Sequence, residues 1–227
     1  MFTVAQQTPS RLTKTPQRSK PIRSSPPLNV TKATVFSWHD FLCPVAWLQQ
    51  QQFVMPPSPA LWQHLAILDQ CIVQLVLQAR SLGPVFVLCE DGATSVEALC
   101  GTFFPRCAHL FSSREMQQHI QLICAATPLS SIWHGQILHM ICKDRLPRSG
   151  AYSLTVFGGD GMRSGGLALA QHVKSVQAKV VRPHTSSVAQ GLKGTLESLV
   201  HATKVLGSIV QHHDHVDMML QPAPLFM

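Results

Sequence analysis

The chain has 227 residues, enough for one full domain with tails and short for two. Hydrophobic residues make up 45% and charged residues only 13%, about half the usual charged share. This excludes a highly charged disordered chain and argues against a histone-like binder. A surface so poor in charge suits one that partners cover.

The net charge of +7 is local. The first 39 residues hold six basic residues (Arg11, Lys14, Arg18, Lys20, Arg23 and Lys32) and no acid, and the remainder carries 12 basic against 11 acidic residues. A basic arm on a neutral body fits an acidic partner, either nucleic acid or an acidic protein lattice. Seven cysteines (43, 71, 89, 100, 107, 124 and 142) are scattered without a CxxC pair. An odd, dispersed set reads as reduced thiols in a reducing compartment. No apolar run approaches the roughly 20 residues of a membrane span, and the N-terminus lacks the apolar stretch of a secretory signal. Its basic, Ser/Thr-rich composition resembles an organelle transit segment. Prolines 9, 16, 21, 26 and 27 count against the amphipathic helix such a segment forms.

In chain order, residues 1–31 read as an extended Pro/Ser/Thr-rich arm. Residues 34–38 are a short β-rich run, and 49–59 a linker. Leu61, Leu65, Leu68, Ile72, Leu75 and Val76 recur at helical spacing, so 60–81 is predicted helical and stopped at Gly83-Pro84. Residues 85–88 form an apolar run suited to a strand buried on both faces. A short helix over 94–104, closed by Pro105, a strand over 120–124 and a helix over 132–142 follow. Next come a strand over 153–157, the run Gly158-Gly159-Asp160-Gly161, a helix from about Ser164 to Gln171, and a strand over 173–181. A long helix over 187–212 ends the pattern. Five alternations of strand and helix predict a three-layer, doubly wound parallel sheet, Rossmann-like in outline, over residues 32–220. Residues 221–227 are left as an apolar C-terminal tail. In such a fold the ligand crevice lies at the carboxyl ends of the central strands. The segments to watch are therefore 37–40, 89–92, the region near Ala125, and 158–161.

Those segments carry a resemblance. The run TVFSWHDFLCPVAWL (34–48) resembles the first motif of a protist branch of the haloacid dehalogenase-like superfamily. VFVLCEDGATSVE (85–97), Phe104-Pro105-Arg106, the strand 120–125, Trp133-His134, 154–160, 173–183 and 214–220 resemble its later segments in order. The resemblance implies a phosphotransferase ancestry. In that chemistry an Asp attacks phosphorus, a second Asp two residues on transfers protons, a Thr and a Lys hold the phosphoryl oxygens, and further acids hold Mg²⁺. The matched positions hold Ser37 for the attacker and His39 for the acid/base. Cys89 replaces the Thr, His134 the Lys, and Gly159 the metal-binding Asp, although a slip of one residue brings Asp160 there. Asp40 matches a family acid that is not the nucleophile. Serine is a poor Mg²⁺ ligand, and without the Lys nothing neutralises a phosphate.

The resulting expectation is a pseudoenzyme with no cofactor and no resident metal, acting as a structural subunit of a large assembly. The arm (Arg11, Lys14, Arg18, Lys20, Arg23) would lie on an acidic protein lattice or on RNA. A ciliary or cytoskeletal setting is favoured slightly over a mitochondrial ribosome or respiratory complex. The alternatives are a divergent Mg²⁺-dependent phosphatase using Asp160, Asp40 or Asp91, and a phosphate or nucleotide sensor without turnover. Adjacent Ser37, His39 and Asp40 contain triad residue types but cannot adopt triad geometry from neighbouring positions. The Gly-rich run 157–166 is compatible with a residual anion site. The cluster His212-His213-Asp214-His215 is read as a solvated helix end rather than a metal site.

Overall fold

The structure is a computed structural model that describes residues 30–51, 57–125, 129–148, 150–184 and 187–221, apart from the side chains of Asp40 and of residues 187–190. The arm over 1–31 falls outside the described residues except for its last two positions. So do Arg11, Lys14, Arg18, Lys20 and Arg23, and all but the first residue of the tail expected over 221–227.

Six strands form one parallel sheet: β1 (Val30–Ser37), β2 (Val85–Cys89), β3 (Ile120–Cys124), β4 (Ala151–Phe157), β5 (Val176–Arg182) and β6 (Val216–Met219). Their order is β3-β2-β1-β4-β5-β6. The chain starts in the middle of the sheet, winds out to β3, returns to β4 beside β1 and winds out to β6. The direction reverses between β1 and β4, and the crevice of a doubly wound fold opens at that point. Register is continuous across it: Phe36 pairs with Val87 on one side and with Phe157 on the other.

Alternation along the strands sends side chains to two separate cores. Phe36, Val85, Val87, Cys89, Phe157 and Val181 face one, which is closed by α1 (Val45–Gln50), α2 (Pro59–Arg80), α3 (Ala93–Phe103), α4 (Pro105–Ser112) and α8 (Ser187–Gln211). Val35, Phe86, Leu88, Leu154 and Val156 face the other, under α6 (Trp133–Met140), a π-helical turn at Ile141–Arg145 and α7 (Asp160–His172). A short α5 (Arg114–Gln117) leads into β3. The expected doubly wound three-layer α/β class is therefore the observed one.

Several expectations are corrected. Trp38 leaves β1 and opens a π-helical turn, Trp38–Leu42, that buries Trp38, Phe41 and Leu42 beneath the crevice. Pro105 closes α3 but also opens α4. It stands at the first helical position, where a missing N–H costs nothing. The local sequence gives α4 no capping side chain. Buried Asp69 of α2 supplies the cap instead, accepting from the N–H groups of Arg106 at 2.8 Å and Cys107 at 2.9 Å. α7 begins at Asp160, four residues before the expected start. α8 bends at Gly191, whose φ of +54° lies in the left-handed region. The C-terminal apolar run contributes β6, held to α7 by a two-pronged contact of Arg163 with Asp217. α2 is also long and apolar enough to cross a membrane by length and composition, contrary to the expectation for this chain. Its stripe Leu65, Leu68, Ile72, Leu75 and Val76 is nevertheless buried in the first core.

Candidate functional site

The positions expected to carry chemistry do meet at the carboxyl ends of β1, β2 and β4. Ser37 ends β1 and is buried, at 1% exposure. Its Cβ lies 3.0 Å from where a Cβ on Gly158 would stand. Gly158 and Gly159 bridge β4 to α7, and Gly159 occupies the N-cap position of that helix. Cys89 ends β2 with no exposed surface. Asp40 lies in the turn after β1, with its side chain outside the described residues.

The side chains at these positions are paired with one another. His39 Nε2 lies 2.9 Å from Asp91 Oδ2, so this nitrogen donates to the carboxylate. The opposite nitrogen, Nδ1, then accepts from the Glu90 N–H at 3.4 Å and faces the Cys89 sulfur at 3.9 Å. His134, on α6, approaches the Glu90 carboxylate at 3.0 Å. The imidazole beside it holds the Glu90 carboxyl below the usual carboxylate range. The strand end Cys89-Glu90-Asp91 is thus gripped by two histidines from elements far apart in sequence. Both histidine side chains are largely buried, at 15% and 12% exposure.

Asp160 is arranged otherwise. It stands in the first turn of α7 at 93% exposure, 3.8 Å from Arg182 Nη1. Arg182 also approaches Asp217, at 3.5 Å. Asp217 is held below its ordinary value by the Arg163 guanidinium and, secondarily, by Arg182. Among the described residues, no three His, Cys, Asp or Glu side chains converge as metal ligands. That includes the expected helix-end cluster. There His212 and Asp214 are exposed and 4.0 Å apart, and His215 Nδ1 accepts from the Ala178 N–H.

The Gly-rich run is explained by packing. A Cβ on Gly161 would meet the His134 ring at 2.8 Å, and one on Gly165 would meet the Gly135 backbone nitrogen at 2.8 Å. A Cβ on Gly166 would press on Val180 at 3.3 Å. Gly165 lets α7 meet α6 at backbone distance, and Gly161 and Gly166 leave room for the His134 ring and the Val180 side chain. The spacing Gly161-x-x-x-Gly165 places both on one helix face. A cavity of about 870 Å³ lies at the β3 edge between Val96, Phe111 and Leu122, away from the β1/β4 crevice.

Sequence reasoning picked out His39, Cys89 and His134, and Asp91 as an alternative acid, but not Glu90 and not the pairing of these residues. Glu90 and Asp91 directly follow a central strand, the position that had singled out the segment 89–92. Cys124 was also missed. It pairs in register with Cys89 across β2 and β3. No family model, curated protein or solved structure matches this chain.

Proposed function

We propose that this chain is a non-catalytic, haloacid dehalogenase-like domain that acts as a structural subunit of a larger assembly. The observation that carries this reading is the pairing of His39 with Asp91 and of His134 with Glu90. In the resemblance, these two histidines stand where a proton-transferring acid and a phosphate-holding lysine belong. Here each is engaged by a carboxylate of the same chain. The attacker position holds Ser37, buried and without a negative charge. An incoming phosphate would find no anionic nucleophile and no lysine, and it would face two carboxylates. Electrostatic stabilisation is the largest part of phosphoryl-transfer catalysis, so its loss removes the rate.

The assembly half of the proposal rests on the charge distribution of the sequence. Arg11, Lys14, Arg18, Lys20 and Arg23 lie in a stretch free of acids, a pattern that suits an acidic protein lattice. Exposed Ile67, Leu77 and Val200 add apolar surface for protein neighbours.

The test is hydrolysis of an aryl phosphate by the purified full chain with Mg²⁺. The expected result is no turnover above buffer and no shift in melting temperature with Mg²⁺ or phosphate. Turnover that disappears in Asp40→Ala or Asp91→Ala would overturn the reading. Binding to polymerised tubulin and to a ribosomal RNA fragment, each over a salt series, addresses the partner. An RNA partner would show affinity falling steeply with salt and with loss of arm charges.

A further inference from the structure

Cys89 and Cys124 are direct neighbours at the carboxyl ends of adjacent parallel strands. Strands in a sheet lie about 4.8 Å apart, and disulfides form between Cα atoms roughly 4.4–6.8 Å apart. Paired in register, both side chains fall on one face of the sheet and pack in the same core. They differ in access. Cys89 is fully buried, whereas Cys124 is part-exposed on β3, an edge strand of the sheet. Behind Cys89 stands His39 Nδ1 at 3.9 Å, its other nitrogen on Asp91. We propose that Cys124 and Cys89 form a reversible dithiol–disulfide site, in which a hydroperoxide oxidises Cys124 and Cys89 then closes the bond.

The chemistry balances. The Cys124 thiolate attacks one peroxide oxygen, the O–O bond breaks, and hydroxide leaves and becomes water on protonation. Cys124 is oxidised by two electrons to the sulfenic acid, and the peroxide is reduced. Cys89 then attacks the Cys124 sulfur as His39 Nδ1 accepts its thiol proton. The S–S bond forms, the S–O bond breaks, and the departing hydroxide leaves as water. The sum is two thiols and one hydrogen peroxide giving one disulfide and two waters.

The remaining thiols are poorly placed for this chemistry. Cys43, Cys100, Cys107 and Cys142 are buried, and burial raises each above the ordinary thiol value. Cys71 is part-exposed like Cys124, but desolvation raises it. In Cys124 the neighbouring Cys89 thiol favours the thiolate and lowers it. Cys71 is therefore an internal reference of similar access and opposite tuning. The dithiol does not depend on the non-catalytic reading, because an active phosphatase would carry it equally.

The experiment treats the reduced full chain with stepwise hydrogen peroxide, alkylates the free thiols and locates cross-links by fragment-ion mass spectrometry. The expected result is a Cys89–Cys124 disulfide, reversed by dithiothreitol, with Cys124 reacting at least about tenfold faster than Cys71. In Cys89→Ser, Cys124 should stop as a sulfenic acid trapped by dimedone. In Cys124→Ser, Cys89 should remain a thiol. The proposal is overturned if Cys71 reacts as fast as Cys124, or if Cys124 proceeds to the sulfinic acid with no cross-link to Cys89. Both of these outcomes are read on the wild-type chain, so a misfolded variant does not blunt the test.

Discussion

Gly165→Ala is the sharpest probe of how α7 is seated. In an exposed helix interior, alanine in place of glycine gains about 1 kcal/mol in helix propensity. At Gly165 the new methyl would lie 2.8 Å from the Gly135 nitrogen, 3.1 Å from the His134 carbonyl carbon and 3.2 Å from the Gly135 Cα. All three atoms are backbone, so no rotamer change relieves the clash, and α6 and α7 must separate. Overpacking of this kind costs about 1–3 kcal/mol. Separation also opens the contacts beneath Leu138 and Leu169, which are buried in the same core. The expected net effect is a loss of about 0–2 kcal/mol after the propensity gain is subtracted.

Gly207→Ala, in α8, is the matched control. A Cβ there meets nothing within 4 Å, so only the propensity gain remains and the variant should be more stable by up to about 1 kcal/mol. Urea unfolding of wild type and both variants measures the two changes with one m-value. If Gly165→Ala is as stable as Gly207→Ala, the close seating of α7 on α6 is wrong. The packing account of the Gly-rich run would fall with it.

Two further substitutions test tertiary features that no local pattern announces. Asp69→Ala strips the cap from α4 and leaves the part-buried N–H of Arg106 and the buried N–H of Cys107 without their acceptor, at a cost of about 3 kcal/mol in urea unfolding. Asp69→Asn keeps one acceptor oxygen and should lose less than half of that; equal losses would show that the carboxylate does not cap the helix. Lys179 is fully buried and donates to the Val210 carbonyl at 2.8 Å, and burial chiefly, then Lys32, lowers it from 10.5 to about 8. Its folded value lies below the unfolded one, so the unfolded chain binds more protons between those limits and stability rises with pH there. The buried thiols act in the opposite sense above pH 9, so the informative quantity is the difference from Lys179→Met. The stability of that variant relative to wild type should fall by up to about 3 kcal/mol between pH 7.5 and 10.5. A flat difference would refute the perturbed lysine.

The sheet was legible because its signal is compositional. Val85 to Leu88 is apolar at every position, and a strand buried on both faces requires that. β6 was missed because a four-residue edge strand has one partner, and Val216–Met219 mixes Asp217 into an apolar run. α4 was missed because Pro105 reads as a stop when taken alone. Its role as a helix start depends on Asp69, 37 residues away. The run FGGDGMRSGG misled in another way. Phosphate-binding loops and tightly seated helices both need glycine so that backbone can approach closely, and composition does not say what approaches. Here it is α6. At the site, the residue types at 37, 39, 89 and 134 were legible but their partners were not, since His39–Asp91 and Glu90–His134 are long-range pairs.

Those pairs decide what the crevice can hold. A rim that binds phosphate keeps its donors unspent until the ligand arrives. In this rim the cationic and imidazole groups already face carboxylates: His39 hydrogen-bonds Asp91, His134 lies beside Glu90, and Arg182 stands between Asp160 and Asp217. A phosphate dianion would have to displace a carboxylate from each histidine, and the displaced carboxylate would stay nearby as a like charge. A divalent cation would be attracted to Glu90 and Asp91, but no third ligand converges on them among the described residues. The same pairs have a structural effect. His39 ties the turn after β1 to the end of β2, and His134 ties α6 to that same end. They hold the β1 and β2 ends together without a bound ligand, which fits the proposed non-catalytic reading.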